Sequence, residues 1–213
     1  MTTETTKAEI ESYIDQLFAQ EDDALRWARE ESQRNGLPAI SVSPHEGALL
    51  QFLLRSVGAK KAVEIGALGG YSGIWLARGL AADGRLYTLE LSGKHAQVAR
   101  SSFARAGLGD RVTLIEGDAL QSLQKLSKEG PFDFVFIDAD KGGYPAYFAW
   151  AAQNLRAGGM VTAHNALRGG RVINPQSEDE KVIANFNRTL AEHPDFFGLV
   201  LNIGDGTAVG IRK

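Results

Sequence analysis

From Lys7 to Arg34 apolar residues recur every three to four positions, at Ile10, Ile14, Leu17, Phe18, Leu25 and Trp27, among many charges. That spacing predicts two amphipathic helices, ended by Asn35-Gly36. Ser43-Pro44-His45-Glu46 combines a Ser cap, proline at the first helical position and an acidic first turn, so a third helix is expected to run to about Val57. Strand-like runs at 61–65, 85–90, 111–115, 132–138 and 159–163 then alternate with helical patterns near 72–82, 94–107, 118–127 and 144–156. Strict alternation predicts a parallel sheet covered on both faces. The rhythm breaks at the end of the chain, where a helix over 178–192 precedes strands at 198–203 and 207–212 joined by Gly204-Asp205-Gly206. This is a hairpin signal, and it adds an antiparallel edge. At 213 residues and 44% hydrophobic content the chain suits one α/β domain, read as a helical extension over 1–42 and a doubly wound core over 43–213.

Charge and composition narrow the chemistry. A net charge of −3 provides no general basic field, so no nucleic-acid partner is implied and small substrates are favoured. The absence of cysteine excludes thiolate catalysis, disulfides and sulfur-held zinc. The start of the chain is polar, and no run of about 18 apolar residues occurs, so no membrane association and a cytoplasmic location are expected.

The most informative stretch is Lys61-Ala-Val-Glu-Ile-Gly-Ala-Leu-Gly-Gly-Tyr-Ser-Gly-Ile-Trp-Leu-Ala77, a strand that passes through glycines directly into a helix. Gly66, Gly69 and Gly70 permit close approach of a ligand to bare backbone, and Ser72 is placed to cap the helix. The next strand ends in Glu90, about 20 residues on, where a ribose diol lies in doubly wound nucleotide sites. Gly66-x-x-Gly69-Gly70 is not the G-x-G-x-x-G of diphosphate binding, and no Lys-Ser/Thr pair follows it. A cofactor without phosphates is indicated. Glu64-Ile-Gly-x-x-x-Gly70 resembles the first motif of the class I S-adenosylmethionine-dependent methyltransferases.

The remaining strand ends are also acidic: Glu116-Gly117-Asp118, Asp138-Ala-Asp140-Lys141, and then His164-Asn165. Such a cluster repels itself unless a cation is present, and a sulfonium cofactor or a divalent metal supplies one. Phe132-Asp-Phe-Val-Phe-Ile-Asp-Ala-Asp-Lys141, Gly69-Gly-Tyr-Ser72 and His164-Asn-Ala-Leu-Arg-Gly-Gly-Arg171 together resemble the small metal-dependent O-methyltransferases, the group of the catechol and caffeoyl-CoA enzymes and their bacterial relatives. The similarity spans about Ser43 to Lys213. It implies a Rossmann-like sheet of seven strands with an antiparallel C-terminal hairpin, S-adenosylmethionine as cofactor, a small hydroxylated acceptor of catechol or phenylpropanoid type, and a homodimer. Cofactor contacts are expected from Glu64, Gly66, Gly70, Tyr71 and Ser72, from Glu90, from Asp118 at the adenine edge with Ala119, and from Asp138 and Asp140.

In the family the first Asp of D-A-D-K, here Asp138, binds the metal, and the Lys, here Lys141, is the candidate for taking the acceptor proton. The other family ligands are an adjacent Asp-Asn pair. This chain has His164-Asn165 in that place. The metal set would be Asp138, His164 and Asn165, and a nitrogen ligand turns preference from Mg²⁺ toward Mn²⁺ or another transition ion. The alternative is that no metal binds and that His164, with an ordinary pKa of ~6.5, or Lys141 serves as base on a natural-product hydroxyl. A further alternative is a cofactor-binding protein that has lost catalysis.

Several residues carry structural readings. Asp118 doubles as a helix N-cap, Asp140 as a cap or a partner of Lys141, and Tyr71 and Trp75 as core aromatics. Asp133 is expected to face solvent, and His45, His95 and His193 are assigned no role. Arg168 and Arg171 are candidates for an acidic acceptor or a neighbouring subunit. Residues 7–35 and the loop near 166–176 are expected to shape the acceptor pocket.

Overall fold

The computed structural model describes residues 5–213, so the first four positions of the expected helical extension lie outside the described residues. The two N-terminal helices form, α1 over Lys7–Phe18 and α2 over Asp23–Arg34, followed by α3 over Pro44–Ser56. Strand β1, Lys61–Ile65, opens the alternation: α4 Tyr71–Gly79, β2 Arg85–Glu90, α5 Gly93–Arg105, β3 Val112–Glu116, α6 Ala119–Leu126, β4 Phe132–Ile137, α7 Tyr144–Asn154 and β5 Leu155–Ala163. Helix α8, Glu178–Glu192, leads into the hairpin of β6, Phe196–Leu201, and β7, Thr207–Arg212.

The sheet runs β3-β2-β1-β4-β5-β7-β6, parallel except where β7 pairs antiparallel with both β5 and β6. β1 and β4 lie side by side at its centre. Because successive side chains leave a strand on opposite faces, Phe134 and Phe136 pack with Leu50, Leu54, Leu76 and Phe103 on one side. Val135 and Ile137 pack with Leu123, Tyr147, Phe148 and Phe186 on the other. Both faces are therefore closed, and only the strand ends remain open to a ligand. Helix α2 joins the first of these cores through Leu25 and Ala28. Among the described residues no helix is long and apolar enough to cross a membrane.

The expected boundaries shift where local geometry overrides the pattern. β5 begins at Leu155 rather than 159, since Leu155 is a core residue opposite Phe132 and the left-handed Gly158 lies within an irregular stretch of the strand. β6 begins at the buried Phe196 and stops short of Asn202-Ile203, which belong to the turn. Helix α4 starts one turn position earlier than its expected cap: Gly70 is the N-cap, with φ +86°, and Ser72 lies inside the helix.

Asp133 does not face solvent as expected. Its carboxylate accepts from the backbone N–H of Lys60 and Lys61, both at 2.8 Å, and from Arg156 Nε at 2.5 Å. It thereby ties the entry of β1 to β4 and β5, at the sheet end opposite the open strand ends. Asp133→Ala leaves two backbone donors without their acceptor, and a loss of about 1–3 kcal/mol of stability is expected in denaturant titration.

Candidate active site

Beyond the carboxyl ends of the central strands lies a cavity of about 770 Å³. Glu90 lines it. Leu68 N–H donates to Glu90 Oε2 at 2.8 Å and Ser92 N–H to Oε1 at 2.9 Å, so two backbone donors fix the carboxylate while each oxygen keeps a lone pair for a hydroxyl. The Leu68 donor is aimed by a left-handed backbone, φ +46°. Leu68, Asn165 and Arg168 are the non-glycine residues with positive φ among the described residues, and all three line the cavity. Strain gathered at one place in this way marks a functional site.

The glycine turn contributes in two ways. Gly66, φ +99°, lines the cavity where β1 and β4 end side by side, and a Cβ there would stand 2.2 Å from the Asp138 carbonyl oxygen. Tyr71 and Ser72 also line the cavity, and Trp75 does not. Glu64 and Gly70 fall behind the wall, contrary to the expected direct contacts. Glu64 is fully buried, accepting from Ser72 Oγ at 2.5 Å and Thr88 Oγ1 at 2.6 Å. Ser72 is thus a partner of Glu64 rather than a helix cap. Burial, with the charges of Asp138 and Glu90 adding to it, lifts the Glu64 carboxyl to about 7.

Asp118 and Ala119 line the cavity too, and Asp118 is at once the N-cap of α6, accepting from Gln121 N–H at 2.9 Å. Asp140 also lines the cavity and caps a short turn, with Gly143 N–H at 2.8 Å and Tyr147 Oη at 2.6 Å. Asp140 makes no pair with Lys141. Glu116, although at a strand end, is held away by Arg100 at 3.3 Å.

The centre of the cavity is a chain of charges. His164 Nδ1 lies 3.1 Å from Asp138 Oδ2, and His164 Nε2 lies 2.9 Å from Glu46 Oε1. Lys141 Nζ lies 3.4 Å from Asp138 Oδ1 and donates to Tyr144 Oη at 2.7 Å, and Tyr144 Oη donates in turn to the His164 carbonyl at 2.9 Å. Burial alone would lower the imidazole, but Asp138 and Glu46 outweigh it and raise it to about 9. Glu46 resists the upward pull of burial through His164 and Ser43 and falls to about 2. Lys141 is lowered, burial prevailing over Asp138.

Glu46 was not among the candidates, yet its pattern was present: Ser43-x-x-Glu46 is a capping box. Glu46 Oε2 accepts from Ser43 N–H and Ser43 Oγ, both at 2.7 Å, leaving Oε1 for His164. Gly204 makes room, since a Cβ there would stand 1.8 Å from Glu46 Oε1. The segment after α2, with Pro38, Ile40, Ser41 and Val42, lines the cavity where helices α1 and α2 were expected to, and Arg168 and Asp205 represent the later loop and hairpin turn. Arg171 turns away to Glu180 at 2.9 Å. His45 is structural, paired with Asp15 at 2.9 Å. His95 lines the cavity beside Glu90, at 3.4 Å, a position its sequence context did not signal.

The description O-methyltransferase fits residues 15–213, the span over which that family's profile matches. The chain belongs to the O-methyltransferase family. It is 42% identical over 213 residues to the catechol O-methyltransferase of Niastella koreensis, covering 96% of each chain, and 42% identical over 189 residues to that of Mycobacterium tuberculosis, covering 87% of this chain and 84% of the relative. The crystal structure of the Bacillus cereus O-methyltransferase in complex with SAH superposes with a TM-score of 0.90 at 42% identity, covering 96% of this chain and 97% of that one. The enzyme is a SAM-dependent O-methyltransferase of the Rossmann-like class I fold.

Whether the implied metal fits is decided by the donors present. His164 has a carboxylate oxygen within 3.1 Å of each ring nitrogen. Asp138 has Lys141 on one oxygen and His164 on the other. Among the described residues no three His, Asp or Glu side chains converge on a point an ion could take. The side chains that would hold the implied ion are Asp138, His164 and Asn165, all of which line the cavity.

A carboxyl lifted above its ordinary value favours folding below its unfolded pKa, and that contribution is lost as pH rises through the folded one. For Glu64 the window runs from the ordinary 4.5 to about 7. The melting temperature of Glu64→Gln should therefore gain on that of the unaltered enzyme between pH 5 and pH 8, and an identical difference at both pH values would contradict the assignment.

Proposed function

We propose that the enzyme methylates a hydroxyl of a small aromatic acceptor, of catechol or phenylpropanoid type, with Lys141 taking the proton. The observation that carries this reading is the placement of Lys141 Nζ beside Asp138 past the end of β4, its pKa lowered by burial, within the cavity that Glu90 also lines. The catechol O-methyltransferase names of the relatives support the acceptor class.

S-adenosylmethionine, when bound, supplies an electrophilic methyl group on a positively charged sulfur. The acidic strand ends suit that charge. Glu90 is suited to the ribose diol, its two oxygens fixed by Leu68 and Ser92 N–H, and Asp118 with Ala119 to the adenine edge. Asp138, Asp140, Gly66, Tyr71 and Ser72 line the same cavity and are suited to the rest of the cofactor. Glu64 acts from behind that wall by orienting Ser72.

At the acceptor, the hydroxyl loses its proton to Lys141 Nζ as the O–CH₃ bond forms, and the electron pair of the S–CH₃ bond remains on sulfur. Tyr144 holds the amine in place at 2.7 Å, and burial keeps it a better base than a solvated lysine. His164 is not suited to that task, because, against the lowering effect of burial, Asp138 and Glu46 raise its pKa to about 9, above neutral pH. Positioning contributes most, since a pre-activated methyl needs chiefly an aimed nucleophile. The exposed Ile10, Tyr13, Leu17 and Phe18 on α1 offer an apolar face consistent with a homodimer.

Two measurements test this reading. Calorimetry with SAM and with its demethylated product should show one site per chain, weakened at least about tenfold in Glu90→Ala through loss of the charged hydrogen bonds. With a catechol acceptor, Lys141→Met should lower kcat by about 10²- to 10⁴-fold while leaving SAM affinity in place. No uptake of SAM, or full turnover in Lys141→Met, would overturn it.

A further inference from the structure

Two arginines follow β5 in the run Arg168-Gly-Gly-Arg171, and the fold engages only the second. Arg171 is taken by Glu180 at 2.9 Å, whereas Arg168 lines the cavity with its side chain 25% exposed. Arg168 Nε is sealed from solvent and has no hydrogen-bond partner among the described residues. The carboxylate nearest to its guanidinium is that of the exposed Asp179, at 3.9 Å, too long for a hydrogen bond. Other half-buried arginines are tied into the structure: Arg111 donates to the carbonyls of Leu80, Ala81 and Gly84, and Arg156 to Asp133 and the Val57 carbonyl. A guanidinium left without such partners beside a ligand cavity is a vacant anion receptor.

The backbone holds Arg168 in this place. Arg168, Gly169 and Gly170 are all left-handed, with φ +50°, +62° and +83°, and at the arginine that conformation is strained. Hydrogen bonds to the turn between β6 and β7 maintain it. Ala166 N–H donates to the Gly206 carbonyl and Leu167 N–H to the Asp205 carbonyl, both at 2.9 Å, and Gly169 N–H donates to the Asp205 carboxylate. From α8, Asn187 Nδ2 donates to the Ala166 carbonyl at 2.7 Å. The guanidinium therefore stands on a fixed base, and turning it toward an anion disturbs only the long contact with Asp179.

We propose that Arg168 is the specificity residue of the acceptor pocket, taking the carboxylate of a hydroxylated aromatic acid whose ring hydroxyl is turned toward Lys141. The proposal rests on the methyl-transfer reading above and deepens it by naming the acceptor class. A planar guanidinium meets a carboxylate with two parallel N–H···O bonds, a match that an ammonium group does not offer. The rest of the lining makes a dedicated cation necessary. Glu90, Asp118, Asp138, Asp140 and Asp205 line the same cavity, and their field repels an acidic acceptor. Arg168 offsets that field on the acceptor's side: burial lowers the Lys141 pKa first, and the Arg168 charge adds to the lowering, which puts the guanidinium within electrostatic reach of the amine that takes the proton. The acid serves as a handle, and the methyl group still goes to the hydroxyl oxygen. The methionine end of the cofactor carries a carboxylate too, so the two sources have to be told apart.

The test uses the full-length enzyme with SAM and two acids, protocatechuate and caffeate, each beside its methyl ester. At least one acid should be turned over with kcat/KM more than about tenfold above that of its ester. In Arg168→Met that acid-to-ester ratio, taken on one preparation so that any loss of folded enzyme cancels, should fall by more than about tenfold. Arg168→Lys, which keeps the charge without the fork, should restore part of the ratio. Calorimetry of the same acid against the SAH-loaded enzyme should show its affinity falling in Arg168→Met. No preference for either acid over its ester, or a preference that survives Arg168→Met, would overturn the proposal while leaving methyl transfer intact. A weakening of SAM binding in Arg168→Met as large as that of the acid would overturn it as well, giving the guanidinium to the cofactor's carboxylate. Binding of SAM with no turnover of any acid or ester would instead overturn the methyl-transfer reading, and this proposal with it.

Discussion

Carboxylates gathered at the ends of parallel strands repel one another, and the architecture of this enzyme is organised by the ways in which that repulsion is met. Glu64 meets it by burial behind the wall, with two hydroxyl donors and a carboxyl lifted to about 7. Glu90 meets it with two backbone N–H groups, one of them delivered by a left-handed Leu68. Asp118 and Asp140 are spent on helix and turn caps. Asp138 and Glu46 share an imidazole. The last device joins α3 to the ends of β4 and β5, and the surrounding residues support it: the capping box that orients Glu46, the glycine that leaves it room, and the lysine beside Asp138.

Much of this was legible in the chain. The alternation of strand and helix patterns specified the doubly wound sheet, because each parallel strand needs a covering helix and so repeats a long period that short-range noise does not erase. The hairpin was readable from Gly204-Asp205-Gly206. Strand ends just past β1, β2, β3, β4 and β5 located the cavity through topology alone, and Gly66, Tyr71, Ser72, Glu90, Asp118, Ala119, Asp138, Asp140, His164 and Asn165 all came to line it.

What escaped the sequence was decided by long-range pairing. Glu46 lies 118 positions from His164, and nothing within its own helix announces a partner there. Asp133 was expected to face solvent, yet the start of β1 and Arg156 on β5, on either side of β4, surround it with donors. Glu64 sits one residue before a ligand-binding turn, and strand pleating turns it into the core instead of the cavity. Boundaries moved for local reasons, as with the irregularity at Gly158 that carried β5 back to Leu155. The substitution of His for Asp at 164 was visible from the first. Its meaning was not, because a histidine beside one carboxylate reads as a ligand or a base, and only the second carboxylate makes it a cation.

The protonation of that ring is accordingly the quantity on which the account turns. Nitrogen-15 NMR of the labelled histidine rings, assigned with a His164→Gln control, reports it directly. At pH 7.5 both nitrogens of His164 should carry protons. A single protonated nitrogen, with the other showing the free lone pair of a neutral ring, would contradict the account.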